Sequence, residues 1–121
     1  MCSSDLMANN IAFQPMGKTY QVTANVAAVT IQINADSPVN QYLVVSHEKT
    51  NGTGAPVYVR ISATSANAAV PGANAAYGIP IPPGAMFVFS GPQCSANTSV
   101  YFSAISETDS PEIYVTPGEG L

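Results

Sequence analysis

Apolar and polar residues alternate along this chain with a period of two, and almost nowhere with the period of a helix. Val29-Thr30-Ile31-Gln32-Ile33-Asn34 alternates cleanly, and Val57-Tyr58-Val59-Arg60-Ile61-Ser62 puts Val57, Val59 and Ile61 on one side. Strict alternation marks a strand with one face in a core and one in water. Lys18 to Ala24 repeats the pattern with Tyr20 and Val22. Tyr42 to Ser46 is apolar on both faces, which predicts a central strand. Met86–Phe89, Val100–Ile105 and Ile113–Thr116 supply three more short runs. The best helix candidate is the alanine-rich stretch from Ala63 to Ala76. Pro71 and Gly72 interrupt it, and Ser, Thr and Asn fill it, so it reads as a long loop with at most one short turn.

Turn residues separate the runs. Asp36-Ser37-Pro38, Asn51-Gly52-Thr53-Gly54, Pro80-Ile81-Pro82-Pro83-Gly84, Ser90-Gly91-Pro92, Asp109-Ser110-Pro111 and Pro117-Gly118 each supply a fixed proline φ or a glycine tolerant of positive φ. Short strands bounded this way at a spacing of about 8–12 residues predict an all-β domain, a small antiparallel β-sandwich of about seven to eight strands. Strand order leaves no local signature, so a jelly-roll-like and an immunoglobulin-like arrangement both stay open. Sandwich edges invite pairing with other chains, and Pro56, Pro80 and Pro111 are the candidates for guarding them.

The ends do not follow the alternation. Residues 1–6, Met1-Cys2-Ser3-Ser4-Asp5-Leu6, read as a non-native leader, because Cys-Ser-Ser-Asp-Leu matches the translation of a common sequencing adapter; the natural start is then Met7. Residues 7–121 form the single domain, with an extended N-terminal arm at 7–17 and an irregular C-terminal tail at 116–121. Both ends read either as frayed termini or as arms that dock on a neighbouring subunit. The interface candidates on the second view are Phe13, Pro15 and Met16 at the start, and Pro117 and Leu121 at the end.

Charge changes the picture by its scarcity. Only 8% of residues are charged, about a third of the ~25% usual in soluble domains. The net charge is −4, and the three basic residues, Lys18, Lys49 and Arg60, are scattered. A nucleic-acid partner requires clustered Lys and Arg, so that class is excluded. The apolar runs are far shorter than the roughly 20 residues of a membrane-spanning helix, and no membrane partner is expected. A neutral surface rich in Ala, Ser, Thr and Asn suits packing against other proteins, and low charge favours self-association.

Chemistry is sparse. His47 and Cys94 are too few for a zinc site, and Cys94, without a basic neighbour, reads as a small, partly buried hydrophobe. Glu107, Asp109 and Glu112 share an acidic loop, but their spacing matches no calcium loop. His47 is the only base available to a serine nucleophile, yet Ser46 and Glu48 flank it on a strand, where neighbours point to opposite faces. Paired carboxylates drawn from Asp36, Glu48, Glu107, Asp109 and Glu112 mostly abut turns, where acids are expected anyway. Asn51-Gly52-Thr53 and Asn97-Thr98-Ser99 match the glycosylation pattern by chance. The six tyrosines lie mostly on strands, where tyrosine is a good β residue; Tyr77, in the alanine-rich loop, is the one candidate for a ligand face. No cofactor, no metal and no enzymatic activity are expected.

Several short stretches carry a resemblance. Ile11-Ala12-Phe13-Gln14-Pro15-Met16-Gly17-Lys18-Thr19, Val57-Tyr58-Val59-Arg60-Ile61-Ser62, Ile81-Pro82-Pro83-Gly84 and Tyr114-Val115-Thr116-Pro117-Gly118-Glu119-Gly120 resemble segments of small virion-associated proteins of tailed bacteriophages, the head decoration and accessory β-sandwich proteins. The resemblance spans most of the chain from Met7 onward and brings no defined site. It implies a virion protein, homo-oligomeric and often trimeric, that contacts the major capsid protein or other virion proteins. The alternatives are a host-attachment or carbohydrate-binding module of a tail or fibre, and a small hydrolase using His47.

Overall fold

The computed structural model describes residues 13–47, 56–70, 77–107 and 111–120. They form nine strands and no helix: β1 (Gln14–Pro15), β2 (Tyr20–Thr23), β3 (Val29–Ile33), β4 (Val39–Ser46), β5 (Val57–Ser62), β6 (Ile79–Ile81), β7 (Met86–Cys94), β8 (Val100–Ser106) and β9 (Glu112–Glu119). In one sheet β9 pairs with β4, β4 with β7, and β1 and β2 share the other side of β9. The second sheet has the order β3-β8-β5-β6. All pairings are antiparallel.

The pairs β2–β9, β3–β8, β4–β7 and β5–β6 nest one inside another. A long hairpin folded over on itself into two four-stranded sheets has this order, which is the jelly roll and not the immunoglobulin arrangement. The alternation seen in the sequence sets the register. Ile113 faces Val22 and Ser46, and Val115 faces Tyr20 and Val44. Within the second sheet, Val57 pairs with Ile81 and Ser106, Ile61 with Phe102, and Ile33 with Val100. A one-residue slip would turn each of these rows outward. Val22, Ile33, Tyr42, Val44, Val57, Val59, Ile81, Val100, Phe102, Ile113 and Val115 are fully or almost fully buried and form one core.

The C-terminal tail does not bear out the expectation of irregular structure. Residues up to Glu119 continue β9, and Thr116, Pro117 and Gly118 are buried. Proline and glycine both weaken strands, and two local features make them fit. The Met16 N–H donates to the Pro117 carbonyl at 2.9 Å, so Pro117 turns its bonding side toward the first strands of the chain. There the neighbour is split between β1 and β2, and the missing proline N–H falls where no regular ladder runs. At Gly118 an added Cβ would overlap the Gln14 carbonyl oxygen and the Phe13 ring. The N-terminal arm therefore lies on the chain's own last strand: Gln14 and Pro15 pair with Glu119 and Gly118, and Met16 packs against the core.

Two strands depart from the sequence reading. The turn read at Pro80–Gly84 gives up its first two residues to the edge strand β6, where Pro80 is tolerated because its nitrogen needs no partner at an edge. Of the other proposed edge guards, Pro111 is buried and its carbonyl accepts the Ala24 N–H at 2.8 Å, while Pro56 precedes the interior strand β5. The second departure is in β7, which runs five residues past Phe89 by means of an irregularity opposite Val39 and Gln41. Gly91 there lies against the Tyr42 ring, and the Tyr42 hydroxyl donates to the Pro92 carbonyl.

Cys94 is a free thiol, and it is fully buried where the sequence reading gives only partial burial. Burial pushes its pKa up, and burial together with the neighbouring Cys94 pushes the Tyr42 hydroxyl up as well. The folded state thus holds these protons more tightly than the unfolded chain does. Their contribution is complete below the unfolded thiol's pKa of about 8.5 and is lost as pH rises beyond it. Urea midpoints are therefore expected to be flat from neutral pH to about pH 8 and to fall above it, and Cys94→Ala is expected to flatten the fall below the tyrosine range near pH 10.

Candidate functional site

Of the alanine-rich stretch, the described residues 63–70 fold over the outer face of the second sheet. Ser103, buried although it faces outward on β8, accepts the Ala68 N–H at 2.8 Å. Its hydroxyl also lies 3.0 Å from Thr30 Oγ1, which donates to the Asn67 side-chain oxygen at 2.7 Å. Farther along, the Ala69 N–H donates to the Tyr77 carbonyl at 3.1 Å. Gly78 lets this crossing close, because a Cβ there would overlap the Ala69 carbonyl oxygen.

This packing leaves a groove of about 240 Å³ beside the loop, lined by Val59, Arg60, Ile61, Ser62, Tyr77, Gly78 and Ile79. Tyr77 is 71% exposed. The Arg60 guanidinium carbon lies 4.1 Å from the centre of the Tyr77 ring, a cation–π contact. Arg60 Nη1 also donates to the Asn67 carbonyl at 3.3 Å. Tyr77 was singled out from the sequence; Arg60 was not, although its place on the polar side of the Val57–Ser62 alternation could have found it.

A second feature lies on the same side of the sandwich. β2 packs over β3 at one side and β7 over β5 at the other, so the sheet edges β7 and β6 fall on the same side of the sandwich. Four of the five large hydrophobic side chains exposed among the described residues are here: Tyr77, Ile79 at 45%, Met86 at 64% and Phe87 at 44%. The β7 edge is nine residues long, paired on one side only, and carries no charged residue. Soluble proteins ordinarily blunt such an edge with charge, proline or a cover. Pro92 and the irregularity near it blunt the far half of β7, and the Met86–Phe89 half stays smooth and apolar.

Among the described residues, the remaining sequence candidates do not assemble. His47 is exposed, with its ring edge-on to Tyr114 at 6.4 Å, while Ser46 faces the core. Glu107 is exposed, Glu112 accepts a long 3.4 Å bond from the Tyr114 hydroxyl, and Asp109 lies outside the described residues. No three metal-ligating side chains come together among the described residues, and no helix there is long and apolar enough to cross a membrane. Of the tyrosines, Tyr42 is buried, Tyr20 exchanges bonds with the Asn34 backbone, and Tyr101 accepts from Gln32. Among the interface candidates, Pro15 is exposed, Phe13 and Met16 are half-buried, and Pro117 is fully buried within the sheet and offers no surface. Leu121 lies outside the described residues.

No family model matches the chain, and no curated protein or solved structure is significantly similar to it.

The Ser46 hydroxyl is buried without a hydrogen-bond partner among the described residues, so it loses its water contacts and gains nothing in return. Ser46→Ala is expected to raise stability by up to about 1 kcal/mol, read from urea unfolding. A loss of stability would show that the hydroxyl has a partner.

Proposed function

We propose that this chain is a structural protein of a phage particle, a capsid decoration or accessory protein that acts by protein–protein contact and not by catalysis. The observation that carries the reading is the smooth, uncharged Met86–Phe89 edge, with Met86 and Phe87 exposed. An apolar edge of this kind is a template for a partner chain. The partners in this reading are the major capsid protein or other virion proteins, and the form is a homo-oligomer, with a trimer as the expected state. The jelly roll recurs in viral capsid proteins, which supports the reading as an analogy of architecture. A protein that binds only the assembled shell stabilises that shell by mass action, and scarce charge keeps such contacts free of desolvation costs. The contact surface proposed here is the β6–β7 edge, in place of Pro117, whose side chain the chain's own sheet covers.

A second reading, a host-attachment or carbohydrate-binding module, is favoured by the groove at Tyr77 and Arg60. Lectins share the jelly roll as well.

Light scattering of the purified chain, followed by co-sedimentation with purified heads of tailed phages, tests the first reading. The expected result is a stable oligomer that pellets with heads, and a monomer that does not pellet when Phe87 is replaced in Phe87→Lys. A monomer that stays in the supernatant at concentrations on the order of 100 μM, far above the Kd of a stable assembly, would overturn it.

A further inference from the structure

We infer that the groove beside Tyr77 binds a saccharide that carries a carboxylate, with Arg60 taking the carboxylate and the open side of Tyr77 taking the sugar ring. The inference rests on the second reading above and names its ligand class.

Arg60 carries the argument. It is one of only three basic residues in the chain. It is half-buried, and among the described residues it has no carboxylate partner; its recorded contacts are the Asn67 carbonyl and the Tyr77 ring. A guanidinium has five N–H donors in a rigid planar fork, and the Asn67 bond uses one of them. The stacked ring and that bond hold the fork in place before any ligand arrives, which lowers the ordering cost of binding. None of the residues lining the groove is acidic, so the local charge is positive in a chain of net charge −4. At physiological salt, charges farther than about 8 Å are largely screened, so the local cation governs what enters.

The rest of the lining selects the kind of anion. A planar carboxylate meets the guanidinium fork with two parallel bonds and balances its single charge. A phosphate monoester would bring close to two charges to one cation. The walls are apolar at Ile61 and Ile79, with a hydroxyl at Ser62. A sugar ring shows the same mixture, a C–H face and a rim of hydroxyls, and its C–H face stacks on the negative face of an aromatic ring. The volume, about 240 Å³, lies just under the roughly 300–1,000 Å³ of drug-sized ligand sites. It therefore suits one or two rings and not a peptide stretch.

The test is an NMR titration of the whole ¹⁵N-labelled chain with a disaccharide containing glucuronate, and with its neutral counterpart containing glucose. Shifts are expected at Arg60, Ser62, Tyr77, Gly78 and Ile79, with a Kd on the order of 1 mM for the acidic sugar and at least tenfold weaker binding of the neutral one. The acidic sugar's affinity is expected to fall severalfold as salt is raised from about 0.05 to 0.5 M. Arg60→Gln is expected to abolish the preference, Arg60→Lys to restore it only in part because lysine lacks the planar fork, and Tyr77→Ala to weaken both sugars. Unchanged amide positions away from the groove establish that each variant is folded. Equal binding of the two sugars would overturn the carboxylate assignment and leave a carbohydrate module standing. Absence of groove shifts with either sugar would overturn both.

Discussion

The pairing of the last strand along both its sides is the interaction on which the rest of this structure depends. β9 lies between β4 on one flank and β1 and β2 on the other, so the end of the chain forms the inside of a sheet whose border is the beginning of the chain. Ile113 and Val115 reach the core from this strand, and Pro117 closes it where the β1–β2 border is interrupted. Every nested pair of the jelly roll except β5–β6 joins strands far apart in sequence. Such topologies form late, because loop-closure entropy must be overcome before the contacts reward it.

That closure also decides where the molecule is open. Once β9 fills the interior of one sheet and β8 that of the other, the edges left on the far side are β7 and β6. The chain has few charges with which to blunt them, and β6 relies on Pro80 instead. The first half of β7 has neither device, and Met86 and Phe87 stand in solvent. Asn67 and Ala68 are pinned by Thr30 and Ser103 on the outer face of the second sheet, Ala69 bonds the Tyr77 backbone, and Tyr77 stacks on Arg60. The open β7 edge and the groove at Tyr77 thus lie on one side of the sandwich for a topological reason, which is why both proposed readings turn to it.

Much of the architecture was legible in the sequence because alternation is a local property. The strands at Val29–Ile33 and Val57–Ser62 and the doubly apolar Tyr42–Ser46 declare their faces residue by residue. What was not legible depended on distant partners. Pro117 and Gly118 read as a chain end because proline and glycine weaken strands, and only the break opposite them, at Met16–Thr19, makes a strand possible there. Pro80 and Ile81 read as part of a turn because Pro80 is acceptable only at an edge, and edges are a property of strand order. The choice between jelly roll and immunoglobulin order was open for the same reason. Tyr77 stood out by its place in a loop, while Arg60 looked like an ordinary outward residue of its strand until the loop crossed over it.

Native-state hydrogen exchange on the whole chain tests the central claim, that the sheet is built around its C-terminal strand. The account predicts that the amides from Ile113 to Thr116, paired with β2 and β4, are among the slowest to exchange and open only with global unfolding. Exchange of these amides as fast as those of the exposed turn at Asn25–Ala27 would contradict it, and would return the C-terminal residues to the free arm that their composition suggests.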